Sequence, residues 1–403
     1  MKHMLRIALL EAVRVAGLPG AIAARAKAQQ PLPERPRILL IRPDHLGDMV
    51  MTTPVLDALR AYVPTAQITM MVGPWAADIV ARHPAIDHLR TCAFPGFRRT
   101  AQSALEPYTL LRQIAHELRE EHYDLAINLR NDFWWGAALM YLAGIPRRVG
   151  YALAPAEPFL THALPFRPHR HSTFYNLELT SAGLEALGLP ALEQPFAPEH
   201  YPLVFTPTTD EQCWLQTQLE QAGIDEKTEV LVIHPGTGGA VKLWRNAAWT
   251  RSANALLNRY PTARLVLTGS PAEHEMLEAI AQGIEPRPLL LSQMTIGQLA
   301  ALLKRASLVL GVDNGPLHLA VAQGTPTVRL FGPTDPAIFG PWGPANRHIV
   351  ITSQEKCPSC PCIPCGRLDF RPDELDEHPC VKRIPEQAIE EAACTLLNTF
   401  CRQ

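Results

Sequence analysis

The 403-residue sequence predicts an α/β fold built from two successive doubly wound, parallel-sheet domains. Three observations predict it. Short apolar runs are followed repeatedly by helix-period segments, the alternation occurs in two separate series, and a proline-punctuated stretch without that rhythm divides them. The length agrees, since roughly 150 residues per domain implies two or three domains with full-sized cores.

The first series opens after the Pro-rich hinge Pro31 to Pro36. Arg37 to Ile41 is an apolar run suited to a buried parallel strand, Asp44-His45-Leu46-Gly47-Asp48 is loop chemistry, and Met49 to Tyr62 reads as a helix with Leu56 and Leu59 on one face. Gln67 to Val72 is a strand and Trp75 to Arg82 a helix, while Leu110 to Glu121 is a helix leading into the strand Leu125 to Asn128. Pro190, Pro195, Pro198, Pro202 and Pro207 then break the pattern, with one helical stretch near Trp214 to Gln221. The second series places strands at Val230 to His234, Arg264 to Thr268, Ser307 to Val312 and Thr327 to Phe331. Its helices are Ala247 to Asn258, Glu273 to Gln282, Thr295 to Arg305 and Pro316 to Gln323. Ligands in such sheets bind beyond the carboxyl ends of the strands, so the two domains are expected to face each other across a cleft.

A net charge of −2, from 37 basic and 39 acidic residues, excludes a dedicated nucleic-acid binder. No apolar run approaches the roughly 20 residues that span a bilayer. Near the start, Lys2 and Arg6 precede an apolar segment, but Glu11 and Arg14 interrupt it and Pro19-Gly20 is expected to break it, which argues against a secretory signal. Leu5, Ala8, Leu9, Val13 and Ala16 sit near helical spacing, giving either a peripheral membrane helix or a helix packed on the body. An odd cysteine count of nine, in a long chain without a signal, places the protein in a reducing compartment, the cytoplasm.

The strongest chemical constellation lies in the second half. His234-Pro235-Gly236-Thr237-Gly238-Gly239 follows a strand, with Lys242-Leu243-Trp244 just after it. Glycines let backbone N–H groups approach an anion, and the ammonium adds a point charge. The spacing is neither a P-loop nor a dinucleotide fingerprint. Farther on, Asp313-Asn314-Gly315 separates a buried strand from a helix beginning near Pro316. The free N–H groups of that helix start attract phosphate, and His318 falls in its first turn, facing the ligand or satisfied in the core. Phe331-Gly332-Pro333-Thr334 ends another strand in a turn.

Together with Ile41-Arg42-Pro43-Asp44-His45-Leu46-Gly47-Asp48, Thr53-Pro54 and Leu56-x-x-Leu59, these motifs follow one family order from about Pro36 to Val350. In them the sequence resembles glycosyltransferase family 9, the ADP-heptose:lipopolysaccharide heptosyltransferase-like enzymes. That resemblance implies a GT-B fold, an inverting mechanism with no cofactor or metal, and transfer of a sugar, with heptose from ADP-heptose the leading case, to a lipopolysaccharide or other cell-envelope glycan. The sequence divides into a 1–34 N-terminal helix or leader, a 35–190 domain, a 191–227 linker, a 228–350 domain, and a 351–403 Cys-rich insert with a C-terminal helix, the insert being a departure from the family pattern; the resemblance makes 35–190 the acceptor-side domain and 228–350 the nucleotide-sugar-binding domain. Asp48 then matches the catalytic base, with Asp44 as rival and a helix N-cap as the structural alternative. Lys242 matches the phosphate-binding lysine, and Thr237, Gly238, Asp313, Asn314, Gly315 and His318 the donor loops. Glu273 matches the acidic residue that reaches the ribose, and Met294 lies where the base is lined. Pro43-Asp44-His45 replaces the small residues usual before Gly-Asp, which leaves sugar and acceptor open.

The Cys357-x2-Cys360-x-Cys362-x2-Cys365 run, with Cys380 beyond, has the spacing of thiolate metal ligation: zinc, an iron–sulfur cluster or free thiols are its three readings. Arg147-Arg148 and Arg167-Pro168-His169-Arg170-His171 are local basic spots, either solvated or in contact with a phosphorylated or lipid-linked acceptor. Trp134 and Trp135 are core residues or a sugar platform. Two other classes of function compete: a nucleotide-sugar-binding protein without catalysis, and a thiol- or metal-based redox protein.

Overall fold

The computed structural model describes residues 2–97 and 105–400, with side chains from residue 8 onward, so the Leu5 side chain and Cys401 lie outside the described residues. The chain divides into two compact units, Met1–Ala197 and Pro198–Gln403.

The first unit contains α1 (Lys2–Ala28), β1 (Arg37–Arg42), α2 (Leu46–Val50), α3 (Thr53–Tyr62), β2 (Gln67–Val72), α4 (Ala77–Val80), β3 (His88–Thr91), α5 (Glu106–Glu120), β4 (Leu125–Asn128), α6 (Trp134–Leu142), β5 (Arg147–Tyr151), β6 (His162–Leu164) and α7 (Ser172–Ala186). Its six strands lie in the order β3-β2-β1-β4-β5-β6, and every pairing is parallel. The connection reverses direction between β1 and β4. A crevice therefore opens beyond their carboxyl ends, the usual ligand position in an open parallel sheet.

The second unit repeats the topology. It contains α8 (Thr209–Gln221), β7 (Val230–His234), α9 (Asn246–Arg259), β8 (Arg264–Thr268), α10 (His274–Ala281), β9 (Leu289–Leu291), α11 (Ile296–Arg305), β10 (Leu308–Val312), α12 (Gly315–Ala322), β11 (Thr327–Phe331), α13 (Pro336–Phe339), β12 (His348–Thr352) and α14 (Glu386–Phe400). The order β12-β11-β10-β7-β8-β9, again all parallel, puts the switch point between β7 and β10. Strands β7, β10 and β11 are buried along their whole length, which is why they read as unbroken apolar runs.

Three departures from expectation have clear causes. Met49 to Tyr62 is not one helix: Pro54 has no N–H to continue the ladder, so the chain restarts from the cap Thr52 as α3. The first helix does not break at Pro19-Gly20 but continues to Ala28. Tertiary packing outweighs the local penalty, because Gly17 lets the helix lie directly on Tyr141 of α6, where a Cβ would overlap the ring, and the Tyr141 hydroxyl donates to the Arg14 carbonyl at 2.9 Å. The inward face is accordingly Leu10, Val13, Gly17 and Ala24, while Ala8 and Ala16 are exposed. The third departure is Arg147-Arg148, which is not a surface spot: both side chains are buried in β5. Arg147 donates to the Ala28 carbonyl at 2.9 Å, tying down the end of α1, and Arg148 donates to the carbonyls of Phe159 and Ile145. Burial lowers the Arg148 guanidinium to about 10.

Candidate active site

In the first unit the crevice is built from the loop after β1 and the loop after β4. Arg42, the last residue of β1, is buried and reaches three ways. Its Nε lies 2.8 Å from Asp44 Oδ2, its Nη2 lies 3.3 Å from Asp48 Oδ1, and its Nη1 donates to the Leu129 carbonyl and to Asn176 Oδ1 (3.1 Å). Arg130, just beyond β4, makes a second ion pair with Asp44 and lies over the Phe97 ring. Burial alone would lower the Arg130 guanidinium, but the carboxylates of Asp44, Asp132 and Asp48 more than offset it, and its pKa ends above the ordinary arginine value.

This geometry separates the two candidate bases. The Asp44 side chain is 5% exposed and held between two guanidiniums, whereas Asp48 keeps 28% of its side-chain surface open. Asp48 is not the N-cap either. His45 occupies that position, and Asp48 sits in the first turn of the five-residue α2. Its backbone is fixed from behind: the Thr52 hydroxyl donates to the Asp48 carbonyl at 2.8 Å, and Asn176 of α7 donates to Thr52 Oγ1 (3.1 Å) and to the Met51 carbonyl (3.2 Å). Beside Arg130 lies a cavity of about 410 Å³ lined by Gly96, Phe97, Asp132, Phe133, Trp134 and Trp135. Trp135 is a core residue, packed edge-on to Phe94 and donating to the Pro107 carbonyl at 2.7 Å, while half-buried Trp134 stacks near Tyr108.

In the second unit the loops after β7 and β10 meet at the switch point. Lys242 Nζ lies 3.1 Å from Asp313 Oδ2, which also accepts from the Thr334 hydroxyl at 2.8 Å, and Thr237 Oγ1 donates to the Asp313 carbonyl at 3.4 Å. Asn314 caps α12 by accepting from the Leu317 amide at 3.1 Å, and it donates to the Gly236 carbonyl at 2.8 Å. One side chain thus fixes both loops. Gly238 is exposed at the mouth of the turn and Gly315 opens α12. Glu273 accepts from the Ser270 amide and hydroxyl at 2.7 and 2.8 Å, closing a capping box, and lies so close to Gly236 that a Cβ there would overlap its carboxylate. It is therefore both a helix-start charge and a neighbour of the glycine turn. His234 is buried beneath that turn, and burial lowers its imidazole to about 4, with Glu273 opposing. Met294 is half-buried just past β9, two strands away from β7.

His318 is buried, with its Nδ1 3.4 Å from Nη1 of Arg329. Arg329 is fully buried in β11 and donates to the Leu317 carbonyl. Burial lowers this guanidinium to about 9, and Asp313 pulls it partly back. Sequence reasoning missed Arg329, Arg130 and Asn176. The only signal for Arg329 is a charge inside the apolar run Thr327 to Phe331; Arg130 and Asn176 give none, because their partners are 86 and 134 residues away.

The sequence profile described as glycosyltransferase family 9 (heptosyltransferase) matches residues 111–365. The chain belongs to glycosyltransferase family 9. This family 9 enzyme is 28% identical over 308 residues to lipopolysaccharide heptosyltransferase 3 of Escherichia coli strain K12, covering 73% of this chain and 82% of that one. It is 29% identical over 354 residues to lipopolysaccharide heptosyltransferase 1 of Pseudomonas aeruginosa, covering 84% and 89%. Among solved structures, a family 9 glycosyl transferase from Veillonella parvula superimposes with a TM-score of 0.73 at 22% identity, covering 92% of this chain and 99% of that one. The ADP-heptose lipopolysaccharide heptosyltransferase II of E. coli superimposes with a TM-score of 0.67 at 22% identity, covering 90% and 99%. The family 9 chain is thus a glycosyl-transferring enzyme of the GT-B fold class, two Rossmann-like units in succession. No helix among the described residues is long and apolar enough to cross a membrane.

Proposed function

We propose that the protein is an inverting heptosyltransferase that moves heptose from ADP-heptose to a lipopolysaccharide-type acceptor. The observation that carries the reading is the Lys242–Asp313–Thr334 cluster at the crevice of the second sheet, beside the glycine turn and the start of α12. Backbone N–H groups and one ammonium gathered there suit a nucleoside diphosphate. Heptose as the sugar and lipopolysaccharide as the acceptor are supported by the names of the relatives.

In this reading the acceptor hydroxyl attacks the anomeric carbon from the face opposite the diphosphate. The new C–O bond forms as the bond to the diphosphate breaks. The hydroxyl proton passes to the Asp48 carboxylate, and Lys242 with the loop N–H groups takes up the charge growing on the leaving group. Thr237, Gly238, Asp313, Asn314, Gly315 and His318 shape the phosphate loops, Glu273 holds the ribose hydroxyls and Met294 lines the base. Asp44, already held by Arg42 and Arg130, positions the loop instead of taking the proton. Arg130 and the cavity beside Trp134 suit an anionic glycan acceptor. A cytoplasmic enzyme touching the inner membrane face fits the outward apolar stripe Val15, Leu18 and Ile22 on α1.

The test is a thermal-shift and turnover panel of ADP-heptose, ADP-glucose, UDP-glucose and GDP-mannose. ADP-heptose should raise the melting temperature most, with the shift growing with the logarithm of its concentration. Asp48→Asn should keep the shift and lose turnover. A larger shift with the uridine or guanosine sugars would refute the donor assignment, and turnover by Asp48→Asn would refute the base.

A further inference from the structure

Beyond the transfer chemistry, residues 353–385 form an insert between β12 and α14 that buries three cysteines among apolar side chains. Cys357, Cys360, Cys380 and His378 are all buried, and the Sγ atoms of Cys357 and Cys360 and a ring nitrogen of His378 lie within 4.8 Å of one another. The Cys360 amide donates to the Cys357 carbonyl at 3.0 Å, closing the tight turn of a Cys-x2-Cys knuckle. His378 Nδ1 lies 3.3 Å from Cys360 Sγ, and its ring is stacked on Phe370 with centroids 3.7 Å apart. Cys380 and Cys357 are electrostatic neighbours, and Cys365, half-buried, packs against the same cluster. None of the described cysteines is in a disulfide.

The surroundings are apolar, with Val381 and Ile384 in the same core cluster. A soft cation bound by such a set holds its thiolates deprotonated and engages the imidazole in one step. Soft thiolates with one imidazole in a compact, buried set select a tetrahedral zinc or iron ion and exclude magnesium or calcium.

We propose that Cys357, Cys360, His378 and Cys380 form a structural site for one tetrahedral transition-metal ion, zinc or iron, and that this ion clamps the insert under the loops that follow β7 and β11. The links to those loops are direct. A Cβ on Gly332 would press on Cys380 Sγ and Val381, so the β11 turn that continues to Thr334 rests on the cluster. The Gly366 amide donates to the Pro333 carbonyl at 2.7 Å, and Trp244, two residues past Lys242, donates to the Ile384 carbonyl at 3.0 Å. Lys242 and Thr334 both reach Asp313, so the clamp holds both from below.

The test uses the full chain purified under reducing conditions with a tag that needs no immobilised metal. Elemental analysis should find about one zinc or iron per chain. Cys360→Ser should lower that content more than about tenfold, while Cys362→Ser and Cys394→Ser keep it. If Cys360→Ser does not fold, the wild-type chain decides: after chelation it should take up Co²⁺ with thiolate-to-cobalt charge-transfer absorption. Hydrogen exchange of residues 240–246 and 327–335 should then rise on demetallation and fall on refilling. Wild type that is metal-free and binds neither Zn²⁺ nor Co²⁺ would overturn the site, as would a disulfide between these cysteines or acid-labile sulfide accompanying iron. Unchanged exchange at both loops would overturn the clamp.

Discussion

Asp44→Asn and Asp48→Asn form a pair whose effects should dissociate. Asp44 is 5% exposed and faces Arg42, itself 6% exposed, at 2.8 Å, with Arg130 on its other side. Removing its charge leaves the Arg42 guanidinium buried without its main counter-charge. Breaking one partner of a buried pair costs about 3–5 kcal/mol, which for a unit of this size lowers the melting temperature by roughly 6–20 °C. Asp48 touches Arg42 only at 3.3 Å and is 28% exposed, so its neutralisation should cost no more than about 1 kcal/mol. Its effect on turnover is the reverse: loss of a general base lowers kcat by about 10²–10⁴-fold, with little change in the donor's KM. Differential scanning fluorimetry and a coupled nucleoside-diphosphate release assay read the two quantities on the same preparations. An Asp48→Asn enzyme with near wild-type kcat would refute the assignment of the base. An Asp44→Asn protein melting with wild type would refute the view that the Arg42–Asp44–Arg130 triad builds the loop.

Three further outcomes follow from the second unit. Lys242→Met should abolish most of the thermal shift given by a nucleoside diphosphate while the ligand-free chain still melts cooperatively, because Asp313 retains the Thr334 hydrogen bond; an unchanged ligand shift would remove Lys242 from the phosphate site. Gly236→Ala should displace the Glu273 carboxylate and break its capping box, costing about 1 kcal/mol of stability but raising the donor KM about tenfold or more; steady-state kinetics check it, and an unchanged KM counts against Glu273 as a donor ligand. Burial and the nearby Arg329 and Arg347 lower His348 to about 3, so between pH 6.5 and about 3 the unfolded chain binds a proton the folded chain refuses. Stability should therefore fall on acidification, by roughly 2 kcal/mol from this group at pH 5, and His348→Gln should make a denaturant-midpoint profile measured from pH 7 to 5 less steep, the remaining slope coming from buried His234. A wild-type profile level over that range would contradict the buried neutral imidazole.

Much of the fold was legible because its signals are local. Buried parallel strands are continuous apolar runs, and Arg264–Thr268 and Thr327–Phe331 fall where the runs do. The mostly exposed edge strands β3 and β6 and the basic start of β5 carry no such run and were invisible. The same division applies to the site. The Gly-rich turn, Lys242 and the Asp313-Asn314 loop announce themselves by composition, whereas Arg130 and Asn176 acquire meaning only from partners far along the chain.

Residue order alone determined that two strand-and-helix series exist and that each carries polar loops at strand ends, since periodicity and motif spacing are properties of neighbouring residues; the sugar-transferring chemistry came from the resemblance of those motifs to a known family. Tertiary contact decided the rest. It carried the first helix through Pro19 because Tyr141 accepts Gly17, it turned Arg147 and Arg148 from surface charges into internal ties, and it enclosed Asp44 between two guanidiniums while leaving Asp48 open. These outcomes depend on burial and on which charges meet, and both are set only when segments distant in the chain pack together.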